Sequence, residues 1–148
     1  MAVIRRPTAD EAAAIAALVD EAYAPWVARV GRKPAPMLDD YAARIAASQA
    51  WVIGEPGALL GILILEDNPD GFLLENIATS TAARGQGIGR RLLEFAETQA
   101  RAAGHASIIL YTNALMTENI ALYARIGYVE IRRVVEKRFS RVYMAKIL

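Results

Sequence analysis

Cysteine is absent from this chain of 148 residues, and histidine occurs once, at His105. Without a thiol there is no disulfide, no cysteine-ligated zinc and no acyl-cysteine intermediate. A Ser-His-Asp triad would depend on His105 and on a serine in a nucleophile elbow, and the sequence offers no such serine. His105 follows Gly104 and reads as a helix-end cap or the start of a strand. No other group has metal-ligand spacing, so no metal is expected. Long apolar runs are missing too. Hydrophobic residues make up 55% of the chain, yet no stretch reaches the about 18 uncharged residues of a membrane span, and the longest candidate, 58–65, has the length of a strand. A strong charge excess is also lacking, and a formal net charge of +1 leaves no electrostatic case for nucleic acid as a partner. The cluster Arg132, Arg133, Lys137, Arg138 and Arg141 alternates with Glu130 and Glu136 and reads as a solvated hairpin face. Residues 1–10 carry two arginines with no following apolar core or cleavage-type site, so nothing marks export, and the expected location is cytoplasmic with no membrane partner.

The length suits one domain, 1–148, able to bury roughly two-thirds of its unfolded surface. Residues 2–6 read as a strand, and Thr8-Ala9-Asp10-Glu11 supplies a capping box for a helix whose apolar stripe is Ile15, Leu18, Val19, Ala22 and Trp26. Pro25 predicts a bend or a second short helix. Residues 31–36 form a loop by composition, and 38–48 reads as a helix begun by Asp39 or Asp40. The period then changes. Short apolar runs over 50–54, 58–66 and 71–80, separated by Glu55-Pro56-Gly57 and by 67–71, predict an antiparallel meander. Helical spacing returns from Ile88 and stops at Gly104; a buried strand over 106–111 follows, joined by a crossover of the length a parallel pair requires. A short helix from Thr117 to Ile126 and a hairpin of 128–135 with 141–148 complete a mixed α/β order.

Between the third strand and the helix from Ile88 lies Arg84-Gly85-Gln86-Gly87-Ile88-Gly89-Arg90. Its three glycines lack the Cβ atoms that would hold a ligand off the backbone, and the first N–H groups of the next helix have no intrahelical partner. With the helix dipole and the two arginines, the loop suits phosphate oxygens. A P-loop would end in Gly-Lys-Ser or Gly-Lys-Thr where this chain has Gly89-Arg90-Arg91. A dinucleotide fingerprint would need a third glycine at Arg90 and an acidic residue at the end of the next strand, and neither is present.

The loop, with Arg84, Gly87 and Gly89, is similar to the Arg/Gln-x-x-Gly-x-Gly loop of the acetyl-CoA-binding acetyltransferases. Together with the strand Leu74-Glu75-Asn76-Ile77-Ala78-Thr79 before it and Asn119-Ile120-Ala121-Leu122-Tyr123-Ala124-Arg125-Ile126-Gly127-Tyr128 after it, the chain resembles the GCN5-related N-acetyltransferase (GNAT) superfamily over almost its entire length. The resemblance implies a mostly antiparallel sheet with a parallel central pair and helices on both faces. It also implies acetyl-CoA as cosubstrate and a small-molecule or peptide amine as acceptor. The diphosphate would sit on Arg84, Gly85, Gln86, Gly87, Ile88, Gly89 and Arg90, the pantetheine arm on backbone groups of Ile77 and Thr79, and Asn119 would contact the cofactor. Tyr123 would be the acid that protonates the departing thiolate, since a phenol can give a proton. Some relatives carry a glutamate base on the next strand, where this chain has Tyr111; Glu75, among Leu73, Leu74 and Ile77 and expected to have a raised pKa, or a chain of waters must then serve. Asn76 beside Ile77 fits a strand bulge, and alternation places Glu75 and Asn76 on opposite faces. Tyr23, Trp26, Met37, Tyr41 and Tyr111 are the candidate acceptor contacts. Two further readings stay open: an acyl-CoA-binding protein without turnover, and a nucleotide-binding module. The edges of the last hairpin could pair with a second copy as a homodimer.

Overall fold

Glu11 fixes the first turn of the chain in a computed structural model that describes residues 2–148. Its carboxylate accepts the Thr8 N–H at 2.9 Å and two bonds from the Arg5 guanidinium at 2.8 and 2.9 Å. The first strand, β1 (Ile4–Arg5), is shorter than the 2–6 expected. A 3-10 turn, Ala9–Glu11, leads into α1 (Ala12–Tyr23), whose Ile15, Leu18 and Val19 are buried. Pro25 has no N–H to continue the helix, so a 3-10 turn, Ala24–Trp26, and a one-turn α2 (Val27–Val30) follow. The helix expected over 38–48 is a 3-10 turn, Ala35–Leu38, and a separate α3 (Tyr41–Ala46). Asp40 resets the backbone there, its carboxylate accepting the Ala43 N–H at 3.0 Å as an N-cap.

The meander is β2 (Ala50–Glu55), β3 (Ala58–Asn68) and β4 (Gly71–Thr79), and the glycine loop then enters α4 (Ile88–Ala102). β5 (Ser107–Asn113) is followed by α5 (Thr117–Arg125). Met116, not Thr117, stands at the cap position of α5, because the Thr117 hydroxyl turns to Glu118 at 2.9 Å. β6 (Val129–Glu136) and β7 (Phe139–Ile147) close the chain, with Lys137 and Arg138 at φ 48° and 67° as a two-residue hairpin turn demands.

The seven strands form one sheet in the order β1-β2-β3-β4-β5-β7-β6. Only β4 and β5 run parallel, joined by the α4 crossover; every other neighbour pair is antiparallel. Each face of the sheet carries its own core. On one, α4 lays Leu92, Ala96 and Ala100 over Leu63, Leu65, Phe72, Leu74, Ile108 and Leu110. On the other, Ile15 and Val19 of α1 and Tyr41 of α3 cover Val52, Ile62, Ile64 and Ala78. At about 1.5–3 kcal/mol for each fully buried Leu or Ile, these two layers are what hold the sheet in place.

Register settles the faces of β4. Ile64 pairs with Asn76 and Leu65 with Leu74, so Glu75 is the extra residue of a β-bulge. The bulge overrides the alternation expected of Glu75 and Asn76. Asn76 bonds Tyr23 and Tyr41 of α1 and α3, and Glu75 stands 3.7 Å from Arg44 of α3, so both turn to the same side.

Candidate functional site

β4 and β5 pair only over Phe72–Leu74 and Ile108–Leu110. Beyond Leu74 the β5-facing edge of β4 has no strand partner, and the two strands part like lips. The opening leads in two directions. A chamber of about 50 Å³ is lined by Glu75, Asn76 and Ile77 on one lip and Tyr111, Thr112 and Asn113 on the other, with Pro34 and Pro36 above and Phe139 and Arg141 behind. A cleft of about 820 Å³ runs the other way, between α4 and α5, along Ile77, Thr79 and the glycine loop. Tyr23, Ile77, Asn119 and Tyr123 line both spaces and therefore stand where they meet.

The glycine loop forms one end of the cleft. Gly85 and Gly87 adopt φ 80° and 75°, a left-handed conformation that costs other residues about 1–2 kcal/mol. Gly87 is the N-cap of α4, so the free N–H groups of the first turn open onto the cleft. Gly89 is different in kind, because a Cβ there would meet only the Thr79 Oγ1 at 3.7 Å. Arg84, Gly85, Gly87, Ile88, Gly89 and Arg90 all line the cleft, with Arg84 and Arg90 exposed and Arg90 bonded to Glu94 at 3.2 Å. Gln86 points away, its amide donating to the Ala82 carbonyl at 3.4 Å. Glu21 at the end of α1 anchors the loop by accepting the Thr81 N–H at 2.8 Å, a tie that no sequence motif signals.

At the junction, Tyr123 lies edge-on to Tyr128, ring centroids 5.9 Å apart. Burial pushes the Tyr123 hydroxyl up to about 12, so it keeps its proton at neutral pH. Tyr23 donates to the Asn76 side chain at 2.8 Å, and Asn76 in turn donates to the Tyr41 hydroxyl at 3.0 Å. These contacts place Tyr41, which also donates to the Pro36 carbonyl at 2.6 Å, in the α1/α3 core. Met37 packs there as well, so the structure brings neither Tyr41 nor Met37 to the chamber wall; apolar and aromatic character alone did not distinguish core from lining. Trp26 lines the larger cleft and Tyr111 the chamber.

Glu75 is only part-buried, yet loss of hydration raises its carboxyl above the usual range, while the hydroxyl bond from Tyr111 and the positive charge of Arg44 pull the other way. Tyr111 is raised in turn by its own burial and by the Glu75 charge. Arg141 corrects the reading of the basic cluster as a solvated face. It is 7% exposed, donates to Glu136 at 3.0 Å, and lies over the Tyr111 ring at 4.3 Å. A buried cation facing a cavity is a signal only the fold can give.

Among the described residues no helix is long and apolar enough to cross a membrane. A family model described as the acetyltransferase (GNAT) family matches residues 15–128. PaiA N-acetyltransferase from Thermoplasma acidophilum, solved in complex with coenzyme A, superimposes with a TM-score of 0.82 at 15% identity, covering 100% of this chain and 99% of that one. The ribosomal-protein-S18-alanine N-acetyltransferase of Escherichia coli gives 0.74 at 22% identity, over 99% of this chain and 94% of that one. Among curated proteins, a mycothiol acetyltransferase of Jonesia denitrificans is 32% identical over 83 residues, 55% of this chain and 26% of that protein. An IAA acetyltransferase of Azospirillum brasilense is 48% identical over 48 residues, 32% of this chain. The chain thus spans about a third or less of the length of these two curated relatives.

Proposed function

Because this chain belongs to the acetyltransferase (GNAT) family, we propose that it transfers the acetyl group of acetyl-CoA directly to a primary amine. The observation that carries this reading is the junction of two spaces at Tyr23, Ile77, Asn119 and Tyr123, since a donor and an acceptor entering from opposite sides would meet there. In this reading the diphosphate rests on the loop from Arg84 to Gly89 and the first turn of α4, where free N–H groups and the helix dipole favour anionic oxygens. The pantetheine arm follows Thr79 and Ile77 along the unpaired edge of β4, and Asn119 flanks it.

The amine lies in the chamber. Glu75 takes a proton from the ammonium, and the raised carboxyl pKa narrows the gap between base and acid. The freed nitrogen bonds to the thioester carbonyl carbon, N–H groups of the splayed strand stabilise the oxyanion, and the C–S bond breaks. Tyr123 gives its proton to the leaving sulfur, and the surplus proton on the acylated nitrogen returns to the phenolate, leaving a neutral amide, CoA thiol and a protonated Tyr123. With no cysteine in the chain, direct attack needs no thiol intermediate.

A thermal-shift panel tests the donor assignment. CoA and acetyl-CoA are expected to raise the melting temperature, and NAD and ATP at equal concentration are not. Stabilisation by NAD or ATP with none by CoA overturns the assignment.

A further inference from the structure

We propose that the acceptor bound in the chamber carries a carboxylate close to its amine, and that Arg141 holds that carboxylate. The proposal rests on the acetyltransferase reading for the fate of the amine. It concerns a residue outside the acid and base pair.

Arg141 uses one nitrogen, Nη1, on Glu136 at 3.0 Å. Glu136 takes Nη1 alone and the guanidinium also neighbours the Tyr143 hydroxyl, while among the described residues the one fully covered polar side-chain atom without a partner is the Tyr128 hydroxyl. The remaining guanidinium donors are therefore not sealed in protein, and Arg141 lines the chamber. A planar fork with free donors on a poorly hydrated wall suits a carboxylate held by two parallel bonds. Glu136 engages one edge of the guanidinium and also accepts from the Tyr143 hydroxyl at 3.0 and 2.9 Å.

Charge is arranged along one ring. Tyr111 gives its hydroxyl to Glu75 and its face to the Arg141 guanidinium at 4.3 Å, so a carboxylate and a guanidinium meet one ring at two different points, and both line the chamber. A zwitterion complements that pair, with ammonium toward Glu75 and carboxylate toward Arg141. A polyamine does not, since its second cation would meet Arg141 with little water to screen it. Pro34, Pro36, Leu74, Met116 and Phe139 make the rest of the wall apolar. At about 10–15 Å³ per water-sized group, a volume of about 50 Å³ admits only a few heavy atoms, which points to a small amino acid or the compact end of a larger one.

Matched pairs test the proposal: phenylalanine against phenethylamine and methionine against 3-(methylthio)propylamine, each with acetyl-CoA and with CoA release as readout. In the wild type the amino acid is expected to exceed its decarboxylated twin in kcat/KM by roughly tenfold or more. Arg141→Met brings that ratio close to one, and Arg141→Lys, which keeps the charge without the fork, gives a ratio in between. The same pairs are read by melting temperature with CoA bound, where only the amino acid stabilises the wild type and the gain is lost in Arg141→Met. Equal rates and equal shifts for the two twins in the wild type overturn the proposal, as does an unchanged ratio in both variants. If no amine is acetylated while the amino acid still stabilises the wild type and not Arg141→Met, the carboxylate anchor stands and the acetyltransfer reading falls.

Discussion

Tyr111 donates its hydroxyl hydrogen to Glu75 at the point where β4 and β5 part. One bond therefore ties the two lips of the opening and sets the charge state of the carboxylate between them. Burial raises the Glu75 carboxyl, and the bond from Tyr111 lowers it by stabilising the ionised form. In the proposed mechanism Glu75 is the base, a role that needs the ionised carboxylate. The acid limb of kcat/KM against pH should therefore lie above the ordinary glutamate range, and Tyr111→Phe should move its midpoint further up. A downward or absent movement in Tyr111→Phe would remove Glu75 from the base role.

Tyr123→Phe keeps the ring against Tyr128 and removes the hydroxyl proposed as the acid. With general acid catalysis contributing about 10²–10⁴-fold, kcat should fall by roughly a hundredfold or more. CoA affinity, read by calorimetry, should change little. A variant with wild-type kcat on every reactive amine would strike the phenol from the mechanism.

The two kinds of glycine in the loop separate strain from access. Gly87→Ala places a Cβ at φ 75° and should lower stability by about 1–2 kcal/mol in urea titration without a ligand. Gly89→Ala meets no backbone strain, and its Cβ projects beside Thr79, so stability should hold or rise slightly while CoA binding weakens. Equal effects of the two variants on both readouts would show that the loop is only a turn.

Much of this architecture was legible in the sequence, for reasons that name particular residues. The Ile15, Leu18 and Val19 stripe, the apolar β3 run and the glycines around Ile88 all act through neighbours a few positions away, so their elements fell where periodicity placed them. A bulge was expected beside Asn76, but its effect on the faces was not, because that depends on the register between Leu65 and Leu74, and a slip by one residue moves Glu75 onto the face of Asn76. Arg141 was misread for the same kind of reason. Its charge resembled that of exposed Arg132 and Arg133 on the neighbouring strand β6, and only the pairing of β7 with β5 turns it onto Tyr111. Tyr41 and Tyr23 look alike in composition, yet the Asn76 side chain separates them, one in the core and one at the junction.

Glu11 offers a test of the scaffold alone. Pairing with Arg5 holds its carboxyl at about 2, well below the ordinary glutamate range. A lowered folded pKa adds stability that is complete above the unfolded value and disappears as the pH falls through about 2. Glu11→Gln should lower stability by about 1–3 kcal/mol at neutral pH, because the Arg5 guanidinium loses its charged partner. The gap between wild type and variant should close as the pH is taken down through that window.

The most direct measurement of the central claim is product analysis by mass spectrometry after incubation of the protein with acetyl-CoA and a broad panel of amines. The account predicts CoA and an N-acetylated amine in equal amounts for at least one acceptor, with both products reduced together in Tyr123→Phe. Binding of acetyl-CoA with no amine acetylated above the uncatalysed rate would contradict it.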